Sequence, residues 1–133
     1  MSSGDTERNK ALVRRLIDEV MNAGRLDVLE EIYVPRSADA ARGWIAPFRE
    51  AFPDVRMEIV DLVAEGGKVA GRFLCSGTHL GEWRGVAPTR RRFEQIDEVY
   101  FFTIEDGRIA GAWGIEDTQA RLEQLGLAPT GAA

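Results

Sequence analysis

The chain is predicted to be an α+β protein: a strongly curved, mostly antiparallel sheet wraps around N-terminal helices as a cone-shaped barrel, closed by a short C-terminal helix. Three observations predict it. Apolar residues recur at helical spacing as far as Phe52, and from Val55 onward the period falls to two. The strand pattern after Gly67 carries Gly71 and Gly77, the kind of bends a curled sheet requires. A sheet curled over an amphipathic helix leaves a pocket between them, the usual place for a ligand.

Each element has its own signal. Leu12, Val13, Leu16, Ile17, Val20 and Met21 share one face of a first helix, with Arg14, Arg15, Asp18 and Glu19 opposite. Asp5 or Thr6 is expected to cap its start, and Asn22-Ala23-Gly24 to stop it. A short second helix runs from about Leu26 to Tyr33, turns Leu29, Ile32 and Tyr33 inward, and ends at Pro35. Residues 36–43 read as a small-residue connection. The third helix carries Trp44, Ile45, Phe48 and Phe52. Because proline lacks an N–H and fits only the first turn, Pro47 predicts a start close to Trp44.

In the first strand Val55, Met57 and Ile59 alternate with Arg56, Glu58 and Val60, and Glu65-Gly66-Gly67 turns the chain. The second strand alternates Val69, Gly71, Phe73, Cys75, Gly77 and His79 against Ala70, Arg72, Leu74, Ser76 and Thr78. A turn-rich loop follows, then a long strand from Phe93 to Ile104. Glu105-Asp106-Gly107 turns it into a fourth strand, Arg108–Ile115. Asp117 is the expected N-cap of a last helix that carries Leu122 and Leu125 and stops at Gly126. Residues 1–133 read as one domain with an ordered core of about 6–127 and a disordered tail after Pro129.

Composition narrows the function. The chain has 44% hydrophobic and 29% charged residues and a net charge of −5, with its bases scattered among acids. Nucleic-acid binding would need a one-sided basic stripe, and Arg90-Arg91-Arg92 is too short to be one. The lone Cys75 allows no intrachain disulfide and reads as a small core residue; no Cys/His spacing suits a metal. No apolar run is long enough for a membrane span, and the polar start is not a signal peptide. A cytoplasmic protein with no nucleic-acid or membrane partner is expected.

Several local patterns then carry a resemblance along nearly the whole chain. They are Asn22-Ala23-Gly24-Arg25 before a short acidic helix, and Gly77-Thr78-His79 with Gly81-Glu82-Trp83-Arg84-Gly85 and Ala87-Pro88-Thr89. Asp106-Gly107-Arg108-Ile109, Trp113, Asp117 and Gln124-Leu125-Gly126 complete the set. In these the chain resembles the SnoaL-like polyketide cyclases of the nuclear-transport-factor-2-like superfamily. The resemblance implies a homodimer and a small enzyme without cofactor that closes rings by intramolecular aldol chemistry on a hydrophobic, polyketide-like substrate. That chemistry takes a proton from carbon beside a carbonyl and needs a donor at the developing enolate oxygen.

The family's last-strand Asp falls on Gly114 here, and its preceding inward His on Ala112. On the neighbouring strand the family's Gln and His fall on Glu98 and Tyr100, or Asp97 replaces Glu98 if the alignment shifts by one residue. Residues two apart share a strand face, so Glu98, Tyr100 and Phe102 are expected in one pocket. Glu98 is the candidate base and Tyr100 a hydrogen-bond donor. His79 or Asp39 would orient the substrate, and either the pocket mouth is more open than in the family or Trp44 and Phe48 approach to fill it. Gly114 and Ala112 would enlarge the cavity for a bulky ring system.

Each residue has a plainer use. Glu98 could pair with Arg72 or Arg92, Tyr100 could be a core aromatic, and His79 could make a structural hydrogen bond. Glu116 reads as exposed, and Trp113 as a packing residue on the opposite face. Three function classes follow: a cyclase or isomerase of polyketide-type biosynthesis; a cofactor-independent hydroxylase or epoxide-opening enzyme; and a non-catalytic ligand-binding accessory protein whose Asp has been lost.

Overall fold

A computed structural model describes residues 3–127, so the tail expected after Pro129 lies outside the described residues. Helix α1 spans Ser3–Arg15 and continues as a wider π turn over Leu16–Asn22. Asp5 therefore lies in the first turn of the helix instead of capping it. The π turn buries Leu16, Ile17, Val20 and Met21 together, a broader apolar face than a regular helix presents. Gly24, at φ +75°, makes the expected stop. Asn22 ties the helix end to the first strand: its amide donates to Met57 O at 3.0 Å and its Oδ1 accepts from Met57 N at 2.7 Å.

After a single 3₁₀ turn, α2 is one turn long, Leu29–Ile32. The expectation for the third helix is corrected here. Helix α3 spans Pro35–Ala51, so Pro35 opens it and residues 36–43 are helical, with Pro47 in the interior. Proline at the first position is preorganised for a helix, and Ala38, Ala41 and Ile45 fall on one buried face. Pro47 leaves the carbonyl of Gly43 without its intrahelical donor, but Gly43 is exposed and water can replace the bond.

Four antiparallel strands follow in sequence order: β1 Arg56–Glu65, β2 Lys68–Thr78, β3 Arg92–Glu105 and β4 Arg108–Glu116. The sheet is curled but does not close: β1 and β4 are its edges, and β4 meets the helical layer through a parallel bridge between Tyr33 and Ile109. A register shift lies in each pairing: between Ile59 and Asp61, between Cys75 and Gly77, and between Thr103 and Ile104. Helix α4, Thr118–Gln124, is capped by Asp117, whose Oδ1 accepts from Ala120 N at 3.0 Å. The concave face packs on the helices through Phe73, Phe93, Ile96 and Ile109, all fully or almost fully buried, with Phe52 from the end of α3 against Phe93. No helix among the described residues is long and apolar enough to cross a membrane.

Candidate active site

The inner face of β3 and β4 sets the site. Three residue pairs lie directly opposite one another there: Phe102 with Ala112, Tyr100 with Gly114, and Glu98 with Glu116. Two carboxylates facing each other across a strand pair repel, so something must neutralise them. Arg121 of α4 does so. It is completely buried, donates from Nη2 to Glu98 Oε2 at 2.6 Å, and pairs through Nη1 with Glu116 Oε1. Its guanidinium lies over the Phe93 ring at 4.7 Å and faces Phe48 at 5.4 Å.

Tyr100 completes the cluster. Its hydroxyl stands 3.0 Å from Glu98 Oε1 and 3.0 Å from Glu116 Oε2. Glu98 is only 4% exposed, and burial pushes its carboxyl above the usual carboxylate range; the facing Glu116 adds to this and Arg121 opposes it. Burial and the two carboxylates raise Tyr100 in turn, so the phenol keeps its proton and acts as a donor. Cys75 lies in the same field on β2, its thiol pushed up by burial.

Two cavities adjoin this cluster, and Met21, Trp44, Met57 and Tyr100 line both. One, a chamber of about 320 Å³, is walled mainly by apolar residues of α1, α3 and β4, with Phe102, Ala112 and Gly114 among them. The other, a cleft of about 500 Å³, has Glu98, Tyr100 and Glu116 on one side. Phe48, Trp83 and Arg84 stand across it. Trp44, Phe48 and Phe102 therefore form walls and leave the space between them open.

The expected sites resolve unequally. Glu98, not Asp97, faces inward; Asp97 is exposed and pairs with Arg72 at 2.7 Å, while Arg92 pairs with Asp54 and Glu94. Neither arginine weighed as a partner for Glu98 reaches it. Asp39 is corrected: on the outer side of α3 its side chain is 94% exposed and pairs with Arg42, away from both cavities. The idea that Gly114 enlarges the cavity is corrected too. A Cβ there would lie 2.1 Å from Tyr100 Cδ1 and 2.6 Å from Val99 O, so the glycine makes room for the Tyr100 ring.

His79 is fully buried and lines neither cavity. Its Nδ1 accepts from Thr89 N at 3.1 Å, and its ring packs on Phe52 and Trp83. It thus pins the base of the loop that carries Trp83 and Arg84. Burial holds its pKa below the usual value. The unfolded chain therefore binds the proton more tightly, and His79 contributes stability above about pH 6.5 that is lost as pH falls through the lower folded value. Thermal melts of wild type and His79→Gln should converge as the pH drops from about 7 to about 5. A constant gap between them across that range would remove His79 from this role.

Two members of the cluster, Glu116 and Arg121, were not expected from the sequence. Among the described residues, no three His, Cys, Asp or Glu side chains converge as a metal site. The arrangement offers an acid, a base and a phenol donor on the wall of an apolar cavity.

Comparison with known proteins fits this geometry. The sequence profile of the SnoaL-like polyketide cyclases matches residues 11–125. The chain belongs to this family. Among its relatives, a nogalonic acid methyl ester cyclase of Streptomyces nogalater is 33% identical over 93 residues, 69% of this chain and 66% of that protein's length. The fold is shared with a candidate SnoaL-like polyketide cyclase from Jannaschia, at a TM-score of 0.86, 24% identity and coverage of 97% and 99% of the two chains. A candidate hydroxylase of Streptomyces galilaeus matches at a TM-score of 0.81 and 27% identity, over 93% of this chain and 84% of that one. The Tyr100 ring occupies the space that a side chain at Gly114 would need.

Proposed function

We propose that the protein is a cyclase of polyketide-type biosynthesis, closing a ring in a hydrophobic, carbonyl-rich substrate by intramolecular aldol chemistry with its own side chains and no cofactor. The supporting observation is the Glu98–Tyr100 pair on the wall of one cavity, with Tyr100 also lining the adjoining apolar chamber. Glu98 takes a proton from carbon beside a carbonyl, and Tyr100 donates a hydrogen bond to the enolate oxygen that forms. The chamber holds the remaining ring system in a folded conformation, which brings the reacting carbons together and makes bond formation effectively unimolecular.

The test is turnover of an aromatic polyketide ester, with the product carbon skeleton followed by mass spectrometry. A ring-closed isomer or its dehydration product supports the reading. Label from dioxygen in the product would make the protein a hydroxylase, and label from water an epoxide-opening enzyme. Tight binding without turnover would make it an accessory protein.

The reading includes a homodimer through the outer face of the sheet. Val63, Phe101, Trp113 and Ile115 are 44–62% exposed there, and the Phe101 and Trp113 rings lie 6.1 Å apart. Sedimentation should give a dimer that Trp113→Glu converts to a monomer; a wild-type monomer at micromolar concentration would end this part of the proposal.

A further inference from the structure

The Tyr100 hydroxyl has one hydrogen and two carboxylate neighbours at equal distance. It can donate to one of them only. The other contact, phenol oxygen to carboxyl oxygen at 3.0 Å, is repulsive unless that carboxyl itself carries a hydrogen and donates it. The facing pair on β3 and β4 points the same way: a single guanidinium balances one carboxylate charge, leaving the second beside the buried Glu98, with Glu116 27% exposed at the cleft. The other groups around the cluster do not supply the missing charge. Cys75 on β2 holds its proton, and Met21, Phe48 and Trp44 form the apolar walls from α1 and α3. Glu82 and Arg84 of the loop line the far side of the cleft as an acid and a base of opposite charge.

We propose that Glu98 and Glu116 together hold one proton, passed between them through the Tyr100 hydroxyl, so that the pair is acid and base at once. Glu116 is thereby a second catalytic residue and Arg121 the positioning residue that fixes both carboxyls. The catalytic part deepens the ring-closing reading and rests on it; the shared proton rests on geometry alone.

The cycle balances. The ionised carboxylate removes a proton from the substrate carbon to leave an enolate, to whose oxygen the Tyr100 hydroxyl turns its hydrogen, and the enolate's electron pair forms the new C–C bond to the acceptor carbonyl carbon. The carbonyl π pair moves to its oxygen, which takes the proton of the protonated carboxyl. The two glutamates have then exchanged states. Tyr100 restores them by donating its hydrogen to one and accepting from the other, with no net gain or loss of protons. The cluster including Arg121 is neutral before and after. Burial raises Glu98 in the direction this sharing needs.

The experiment is isotope-edited difference infrared spectroscopy of the ligand-free protein, with Glu side chains labelled, run alongside turnover assays. At pH 7 wild type should show the carbonyl stretch of one protonated carboxyl. Glu98→Gln and Glu116→Gln should each lose it, because the remaining carboxylate then pairs alone with Arg121. Arg121→Lys keeps the charge but loses the two-pronged geometry, and should raise the pH at which the band disappears. Glu116→Gln should lower kcat by roughly 10²–10⁴-fold with little change in KM. No band in wild type, or a band unchanged in Glu116→Gln, overturns the shared proton. Turnover within threefold of wild type in Glu116→Gln overturns its catalytic role. A band that behaves as expected in a protein that closes no ring would sink the cyclase reading and leave the shared proton standing.

Discussion

Glu98→Gln is expected to lower kcat for ring closure by roughly 10²–10⁴-fold, the usual contribution of a positioned acid or base, while KM changes little. Glutamine has the same shape as glutamate, so the contact with Arg121 and the wall of the cleft are kept. It also reproduces the uncharged state that one carboxyl of the pair already occupies, so melting temperature should stay close to wild type. The combination is diagnostic. A catalyst working only by enclosing and folding its substrate would lose almost nothing, because the cavity is the same. Steady-state kinetics of the purified variant, with a thermal melt of the same sample, decides between them.

Arg121→Met is expected to have the largest effect on stability. The guanidinium is completely buried and holds two carboxyls. Removing one partner of a buried ion pair typically costs about 3–5 kcal/mol, because the other charge is left unpaired. The remedy available to the variant is a second proton on the pair. Glu98, already raised by burial, then rises further above its unfolded value, so its contribution is favourable at low pH and lost as pH rises through the folded value. The deficit should therefore be smaller near pH 5 than near pH 8. Adding Glu98→Gln to Arg121→Met removes one of the two acids and should recover part of the loss. Urea unfolding of the single and double variants at both pH values measures this. A deficit independent of pH would mean that Arg121 matters for packing alone.

The sequence was most legible where structure is local. The helix face from Val13 to Met21, the stop at Gly24, the turn at Asp106-Gly107 and the Asp117 cap all follow from neighbouring residues. So did the inward face of Glu98, Tyr100 and Phe102, through the period of two. The start of α3 is hidden in the sequence because Pro47 is a strong local signal, whereas the exposed Gly43 that makes it tolerable is a property of the folded surface.

Glu116 was missed for a different reason. The turn pairs Glu105 with Arg108, and regular pairing would then set Glu98 against Ile115. The register shift near Ala110 moves Glu116 into that place. Nothing in the local sequence marks the shift; the Ala110 carbonyl accepts from Ser37 Oγ at 2.6 Å, from a residue far away in the chain. Continuing the alternation of Ala112 and Gly114 by one step would have pointed Glu116 inward. Arg121 carries a similar weak signal, four residues before the buried Leu125 and so on its face of α4. A buried arginine is credible only once the two acids that hold it are known, and those lie on β3 and β4.

Hydrogen–deuterium exchange at carbon tests the central claim most directly. A ketone analogue with the proton beside its carbonyl intact but no acceptor for ring closure is incubated with protein in D₂O and followed by NMR. Wild type should place deuterium at that carbon, and Glu98→Gln should do so at least about a hundredfold more slowly. Equal exchange in both proteins, or ring closure of the full substrate by a wild type that exchanges nothing, would show that the buried glutamate takes no proton from the substrate.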